Sequence, residues 1–226
     1  MSRSIDRYRN SQGKIWVNVA SAMFLLDDFV NIDNHPFLRF LGIYPFVRFA
    51  VPRRYRSVFD EYRAAKAKPG ATLLRRDCRR PLPFPDGSVD HILCSHFLEH
   101  IFREEAVAAL KDFRRALKPG GTAHIIVPDL RVMVDDYLRK SAAGEAGAAD
   151  WFVGYTLLSL PKKGTFKYRI MEFGGGFGLQ HRWMYDPPSM TLAMKEAGFA
   201  LVEGNDTPSR TYRENDGSVH LVGRAG

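Results

Sequence analysis

The sequence predicts an α/β protein built on a doubly wound, mostly parallel sheet. Between Asp77 and Asp129 the chain passes from a strand pattern at residues 89–94, through a helical pattern at 104–117, to another apolar strand pattern at 122–127. Turn-forming residues in PLPFPDGS and LKPGG separate these segments. Strand, helix and strand at this spacing form a parallel crossover unit. In such sheets, ligands bind at the carboxyl ends of the strands, which is where Asp77 and Asp129 fall.

Five further segments have strand patterns. Residues 14–20 (KIWVNVA) and 29–33 (FVNID) are joined by only eight residues, too few for a crossover helix, so residues 21–28 are predicted to form a compact turn. Residues 129–139 and 190–197 have helical patterns, and Gly198 closes the second. The predicted strands are therefore 14–20, 29–33, 73–76, 89–94, 122–127, 199–203 and 218–223.

The chain of 226 residues is predicted to form a single domain, 1–226, since one core can grow to about 250 residues before chains split. Two segments depart from the regular pattern. Residues 34–68 are aromatic and basic with helical spacing, ended by Pro69 and Gly70. Residues 145–186 are rich in aromatic residues and glycine, and a long insertion of this kind in a compact domain is usually functional, so we expect a cap over the site.

Composition excludes several classes of protein. The chain has 33 Lys and Arg against 25 Asp and Glu, a net charge of +8, which fits either an anionic partner or a solvated basic surface. The basic residues are scattered and form no tail, so nucleic acid is not the expected partner. Cys78 and Cys94 have no metal-ligand spacing and predict reduced thiols in a cytoplasmic protein. Neither a signal peptide nor a stretch of about 20 apolar residues is visible.

Several motifs in order resemble the class I S-adenosylmethionine-dependent methyltransferases, in particular the small type 11 group. They are LPFPDGSVDHI after Asp77, SHFLEH after the next strand, LKPGG, and HRWMYDPPSMTLAMKEAGF near the end, and together they span residues 14–204. The resemblance implies a Rossmann-like methyltransferase fold with seven strands, of which the last is antiparallel at the sheet edge. It also implies S-adenosylmethionine as cofactor. No spacing suggests a metal, and the sulfonium already activates the methyl group, so no metal is expected.

The resemblance also assigns residues to the cofactor. An acid at the end of the second strand can accept hydrogen bonds from both ribose hydroxyls, and Asp33 has that position. Asp77, followed by Cys78, is placed beside the adenine, and Ser95 and His96 are placed nearest the sulfonium. Either aspartate could instead cap a turn.

The loop after the first strand departs from the family pattern. Relatives have a glycine-rich run there, whereas this chain has Ala20, Ser21 and Ala22, which are the expected cofactor contacts. Each alanine disfavours a left-handed backbone by about 1 kcal/mol or more. Weakened cofactor binding, or a non-catalytic relative that uses the fold for binding or as a scaffold, are both open readings.

Two histidines are equally good candidates for a general base, His96 and His181, because imidazole can accept a proton near neutral pH. His96 could equally pack within the fold, and the strand around His181 could simply hold the insertion on the sheet. The expected substrate contacts are His100, Arg182, Trp183 and Tyr185.

The expected reaction is O-methylation of a small polar acceptor, a sugar or natural-product metabolite, by analogy with relatives from polysaccharide and secondary-metabolite biosynthesis. The alternatives are a non-catalytic binding protein and a nucleic-acid methyltransferase. The aromatic residues and arginines of segment 37–55 fit a cap or a homodimer face, and less commonly a helix on an anionic membrane surface.

Overall fold

The computed structural model describes residues 5–22, 24–67, 72–159, 180–202, 208 and 216–226. A seven-stranded sheet in the order β3-β2-β1-β4-β5-β7-β6 forms its centre, which confirms the predicted fold class. The strands are β1 Trp16–Val19, β2 Phe29–Asp33, β3 Thr72–Arg75, β4 Val89–Ser95, β5 Leu117–Pro128, β6 Phe199–Val202 and β7 Ser218–Ala225. The helices are α1 Tyr44–Val47, α2 Arg53–Ala67, α3 Arg103–Ala116, α4 Leu130–Ala142, α5 Ala148–Tyr155 and α6 Pro187–Glu196.

The first five strands are parallel, whereas β7 is antiparallel to both of its neighbours, β5 and β6. The predicted antiparallel pairing of the last two strands is therefore present, but β6 rather than β7 occupies the edge. Strand β5 begins at Leu117, before the predicted start, because Gly120 and Gly121 let the backbone continue beside β4. Gly120 has φ of 78°, and a Cβ at Gly121 would lie 3.0 Å from the Lys118 carbonyl oxygen.

Two buried asparagines hold the compact connection between β1 and β2. Asn18 Nδ2 donates to the Phe24 carbonyl at 2.8 Å and to Asn31 Oδ1 at 2.9 Å. Asn31 in turn accepts from the Leu26 backbone N–H and donates to the Leu26 carbonyl. The asparagine side chains thus satisfy backbone groups that would otherwise be unpaired. This short loop replaces a crossover helix, as the sequence predicted.

Most apolar side chains form one core on the faces of the sheet. It includes Val17, Ile32, Ile92, Ile125 and the α3 residue Leu110, each almost fully buried.

A smaller cluster of Leu41, Tyr44, Phe59 and Tyr62 packs the aromatic, basic segment against Leu73 of β3. The Tyr44 and Phe59 rings stack with centroids 4.4 Å apart. Among the helices in the described residues, none combines the length and the hydropathy required to cross a bilayer.

Candidate active site

The carboxyl ends of the parallel strands bring most of the predicted site residues to one edge of the sheet. The loop of residues 20–22 follows β1, Asp33 ends β2, Asp77 follows β3, and Ser95 and His96 lie at the end of β4. This edge is the usual ligand-binding position in an open α/β sheet. The structure therefore places the predicted cofactor residues on neighbouring strand ends.

The loop after β1 has a left-handed backbone although it contains no glycine. Ala20 has φ of 54° and Ala22 has φ of 44°. Ser21 lies between them and is 3% exposed, and its Oγ has no hydrogen-bond partner. Left-handed alanines are energetically unfavourable, and strained backbone of this kind clusters at functional sites. The fold thus keeps, with alanine, the backbone conformation for which glycine is ordinarily used.

Asp33 ties this loop to the end of β2. Its Oδ2 accepts from the Ala22 backbone N–H at 2.8 Å, and its Oδ1 accepts from the His35 backbone N–H at 2.5 Å. The carboxylate therefore caps the turn, as one reading of the sequence expected. Since a carboxylate offers about four acceptor positions, it retains capacity for a further donor.

Asp77 is held by its own neighbour. The Arg79 guanidinium donates to Asp77 Oδ2 at 2.7 Å and Oδ1 at 3.1 Å, and the Arg79 backbone N–H donates at 3.0 Å. Burial alone would raise the pKa of Asp77, but these hydrogen bonds outweigh it and the pKa is lowered. Cys78 beside it is 2% exposed, and burial raises the pKa of its thiol to about 12. That thiol is therefore protonated and not a nucleophile at neutral pH.

His96 lies at the end of β4 in a left-handed conformation, with φ of 52°. Its Nδ1 is 3.0 Å from Ser95 Oγ, and its Nε2 is 3.4 Å from Ser218 Oγ at the start of β7. Partial burial lowers the pKa of His96, and Asp216 opposes that shift. The imidazole is consequently neutral at pH 7 and able to accept a proton. Ser218 and Asp216 were missed by sequence reasoning, since only the insertion of β7 beside β5 brings them here.

His181 lies with His100 rather than with the strand-end residues. The two rings meet edge to face with centroids 4.8 Å apart, and the Nε2 of His100 lies 3.9 Å from Glu99 Oε1. Burial, and next the charge of His100, lower the pKa of His181 to about 4. Glu99 is 1% exposed, and burial raises the pKa of its carboxyl to about 8. Nothing in the sequence pointed to Glu99 except its place in SHFLEH.

The other predicted substrate contacts divide into two groups. Arg182 and Trp183 both donate backbone N–H groups to the Glu99 carbonyl, at 2.7 and 3.2 Å, and their side chains face outward. The Arg182 guanidinium lies 4.7 Å from the Phe102 ring centroid, a cation–π contact. Tyr185 is 1% exposed and belongs to the main core. Its position corresponds to packing rather than to contact with a substrate.

Comparison with known proteins agrees with this arrangement. Residues 57–125, less than half of the chain, match the family described as "Methyltransferase domain". This segment is therefore similar to that family. The match covers α2 through most of β5 and includes the SHFLEH and LKPGG motifs.

Two solved structures resemble the chain over most of its length. One is a chain of the complex between the Haloferax volcanii Trm112 methyltransferase activator and the putative methyltransferase. It is 16% identical, with 99% of this chain and 87% of that chain covered and a TM-score of 0.53. The other is the PH0226 protein from Pyrococcus horikoshii OT3, at 15% identity, 93% and 81% coverage and a TM-score of 0.53. Both likenesses show the fold. No curated protein sequence matches the chain.

At the ends of β1 and β2, the residues of the sheet edge fit the expected cofactor, S-adenosylmethionine. The left-handed backbone at Ala20 and Ala22, the unpaired buried hydroxyl of Ser21, and the remaining acceptor capacity of Asp33 are the observations that support this. Asp77 has less remaining acceptor capacity, because Arg79 donates three hydrogen bonds to its carboxylate, whereas Asp33 accepts two.

Proposed function

We propose that this domain methylates an oxygen of a small polar acceptor, a sugar or natural-product metabolite, with S-adenosylmethionine bound at the carboxyl edge of the sheet. The observation that carries the proposal is strained backbone at three strand-end residues: Ala20, Ala22 and His96 all have positive φ without being glycine. Each such residue costs of order 1 kcal/mol or more, and a packing role alone gives no reason to keep three of them at one edge.

In this proposal the β1 loop and Asp33 hold the cofactor. Backbone groups of residues 20–22 face its methionine end, the Ser21 hydroxyl gains the partner that it lacks, and Asp33 accepts from the ribose hydroxyls. When bound, S-adenosylmethionine supplies an electrophilic methyl group on sulfur. The acceptor oxygen forms the new C–O bond as the C–S bond breaks, and sulfur keeps the electron pair. The acceptor must also lose its proton. The protein contributes orientation and a site for that proton.

His96 is the better candidate for the proton acceptor. It is neutral at pH 7, partly exposed, and lies at the strand end beside the proposed sulfonium position. His181 is buried, and a pKa of about 4 makes it a weak base near neutral pH, where a base works best with a pKa close to the working pH. The sequence favoured neither histidine, and the burial of His181 supports the choice of His96.

The partner and location expectations belong to the same proposal. Phe46 and Phe49 are 78% and 82% exposed, which is unusual for a monomer's surface, so we place a homodimer face there. Nearby arginine charge is used within the chain: Arg48 pairs with Asp60, and Arg56 donates to backbone carbonyls. That internal pairing favours a second copy over an anionic membrane. A cytoplasmic location agrees with the two free, buried cysteines.

The first test is isothermal titration of the purified protein with S-adenosylmethionine and S-adenosylhomocysteine. We expect micromolar binding of both, after which hydroxylated acceptors can be screened by methyl transfer. If neither ligand produces heat or a thermal shift in a folded protein, the non-catalytic reading replaces this proposal. Salt-dependent binding of RNA or DNA would instead favour a nucleic-acid substrate.

A further inference from the structure

Three polar side chains meet where the chain after β4 contacts the segment before α6. They are Glu99, His100 and His181, and one donor atom from each lies within 4.8 Å of the other two. Among the described residues, neither carboxylate oxygen of Glu99 has a hydrogen-bond partner, and the Glu99 side chain is 1% exposed. The Nδ1 atom of His181 is likewise buried and has no partner in the described part of the chain.

Such a cluster is unfavourable without something to fill it. Buried polar groups are almost always hydrogen-bonded, and an unsatisfied one commonly marks an ion or water. Burying a carboxylate is costly unless a positive charge compensates it. Here the His100 Nε2 atom is 3.9 Å from Glu99 Oε1, beyond hydrogen-bond distance.

Backbone contacts hold the two histidine side chains in place. The Nδ1 of His100 lies 3.3 Å from the Gln180 carbonyl oxygen, which leaves Nε2 directed toward Glu99. The His181 imidazole is hydrogen-bonded to the Thr156 backbone, and its Nδ1 is the unpaired atom. A histidine whose second ring nitrogen is fixed by a backbone carbonyl is the usual arrangement of a metal ligand.

We propose that Glu99, His100 and His181 bind one first-row transition-metal dication such as Zn²⁺. Two imidazole nitrogens and one carboxylate oxygen suit zinc and its neighbours, whereas Mg²⁺ and Ca²⁺ require mostly oxygen ligands. Donor atoms around a tetrahedral zinc are roughly 3.4 Å apart, from metal–ligand distances of about 2.1 Å. The present separations, all within 4.8 Å, therefore need only a small contraction.

Three protein ligands leave at least one coordination position open. If the domain is the O-methyltransferase proposed above, the open position is where an acceptor hydroxyl would bind, close in the chain to His96. The sequence predicted no metal, because Glu99 and His100 are adjacent while His181 comes from a distant insertion, and no motif spacing links them. The ion site itself does not depend on the methylation proposal.

The test is direct metal binding by the full-length protein after chelation and desalting. We expect one Zn²⁺ per chain by titration, a visible absorption band with Co²⁺, a higher melting temperature with Zn²⁺ and no comparable effect of Mg²⁺. Glu99→Gln and His181→Gln should each weaken Zn²⁺ binding by about 100-fold or more, since even residues behind the ligands contribute 10- to 100-fold. His220→Gln, which alters a 7%-exposed histidine side chain elsewhere, should bind as the parent does.

Failure of the two proposals can be told apart. Absence of Zn²⁺ binding in a folded parent protein, or equal binding in Glu99→Gln and His181→Gln, overturns the metal site even if S-adenosylmethionine binds. Zn²⁺ binding lost in those variants, in a protein that ignores S-adenosylmethionine, leaves the metal site standing and overturns the proposed methylation. Circular dichroism of each variant shows whether it is folded.

Discussion

Replacing the left-handed alanines by glycine tests the conformation of the β1 loop. Ala22 is exposed and has φ of 44°, so Ala22→Gly removes a penalty of about 1–2 kcal/mol. The greater entropy of glycine in the unfolded chain offsets about 0.4–1 kcal/mol of that gain. The Ala22 N–H that donates to Asp33 is retained. The net expectation is about 0.5–1 kcal/mol of stabilisation, or roughly 1–4 °C in melting temperature for a domain of this size.

Ala20→Gly provides an internal comparison, because Ala20 packs against the main core. Loss of its methyl group costs about 0.8 kcal/mol and should cancel the conformational gain. The control is Ala108→Gly at an exposed position inside α3, which should lower stability by about 0.5–1 kcal/mol. The assay is denaturant unfolding of the three variants beside the parent. If Ala22→Gly destabilises the protein as much as Ala108→Gly does, the loop does not have the left-handed backbone on which the cofactor proposal depends.

Three further predictions use other parts of the molecule. Asp33→Asn should weaken S-adenosylmethionine binding, measured by titration calorimetry, by about 10- to 100-fold, because charge-assisted hydrogen bonds are lost. The control Asp60→Asn should bind as the parent does. Equal affinities of Asp33→Asn and the parent would mean that the ribose site lies elsewhere. His91 is 1% exposed, and burial lowers its pKa from 6.5 to about 3. Below pH 6.5 the imidazole is therefore protonated in the unfolded chain but not in the folded one, so the free energy of unfolding falls as the pH drops. His91 should account for about 2 kcal/mol of the decrease in unfolding free energy between pH 7 and pH 5. Urea unfolding of His91→Asn at both pH values should show a decrease smaller by that amount. An equal decrease in the variant and the parent would contradict the prediction. Light scattering should show a dimer for the parent and a monomer for the double variant Phe46→Ser, Phe49→Ser. A monomeric parent that pellets with anionic liposomes would instead assign this face to a membrane.

The sequence predicted the features that follow from periodicity and strand ends. Parallel strands with apolar patterns require their carboxyl ends to share one edge, so Asp33 and His96 could be placed there without coordinates. The compact turn between β1 and β2 also followed, from chain length alone. Its cause, the paired side chains of Asn18 and Asn31, could not be foreseen, because buried asparagines resemble surface polar residues in a sequence.

The features that the sequence did not predict depend on contacts between residues far apart in the chain or on the local backbone conformation. The Asp77 carboxylate is taken by Arg79, a contact that competes with any role at the adenine. Ser218 reaches His96 only because β7 inserts between β5 and β6. Tyr185, expected to contact a substrate, forms a bridge with Asp129 and lies in the core.

The end of β4 relates the two proposed sites to each other. The left-handed turn at His96, whose N–H donates to the Ile126 carbonyl, directs that imidazole toward β7. The 3-10 turn Leu98–His100 follows at once, and its Glu99 and His100 face His181 on the other side. An acceptor that touches both the proposed base and the proposed metal must therefore fit at one strand end, within the reach of a few residues. That constraint favours a small polar molecule over a polymer as the acceptor. It also predicts that Zn²⁺ bound at Glu99 changes the affinity for the acceptor but not the affinity for S-adenosylhomocysteine.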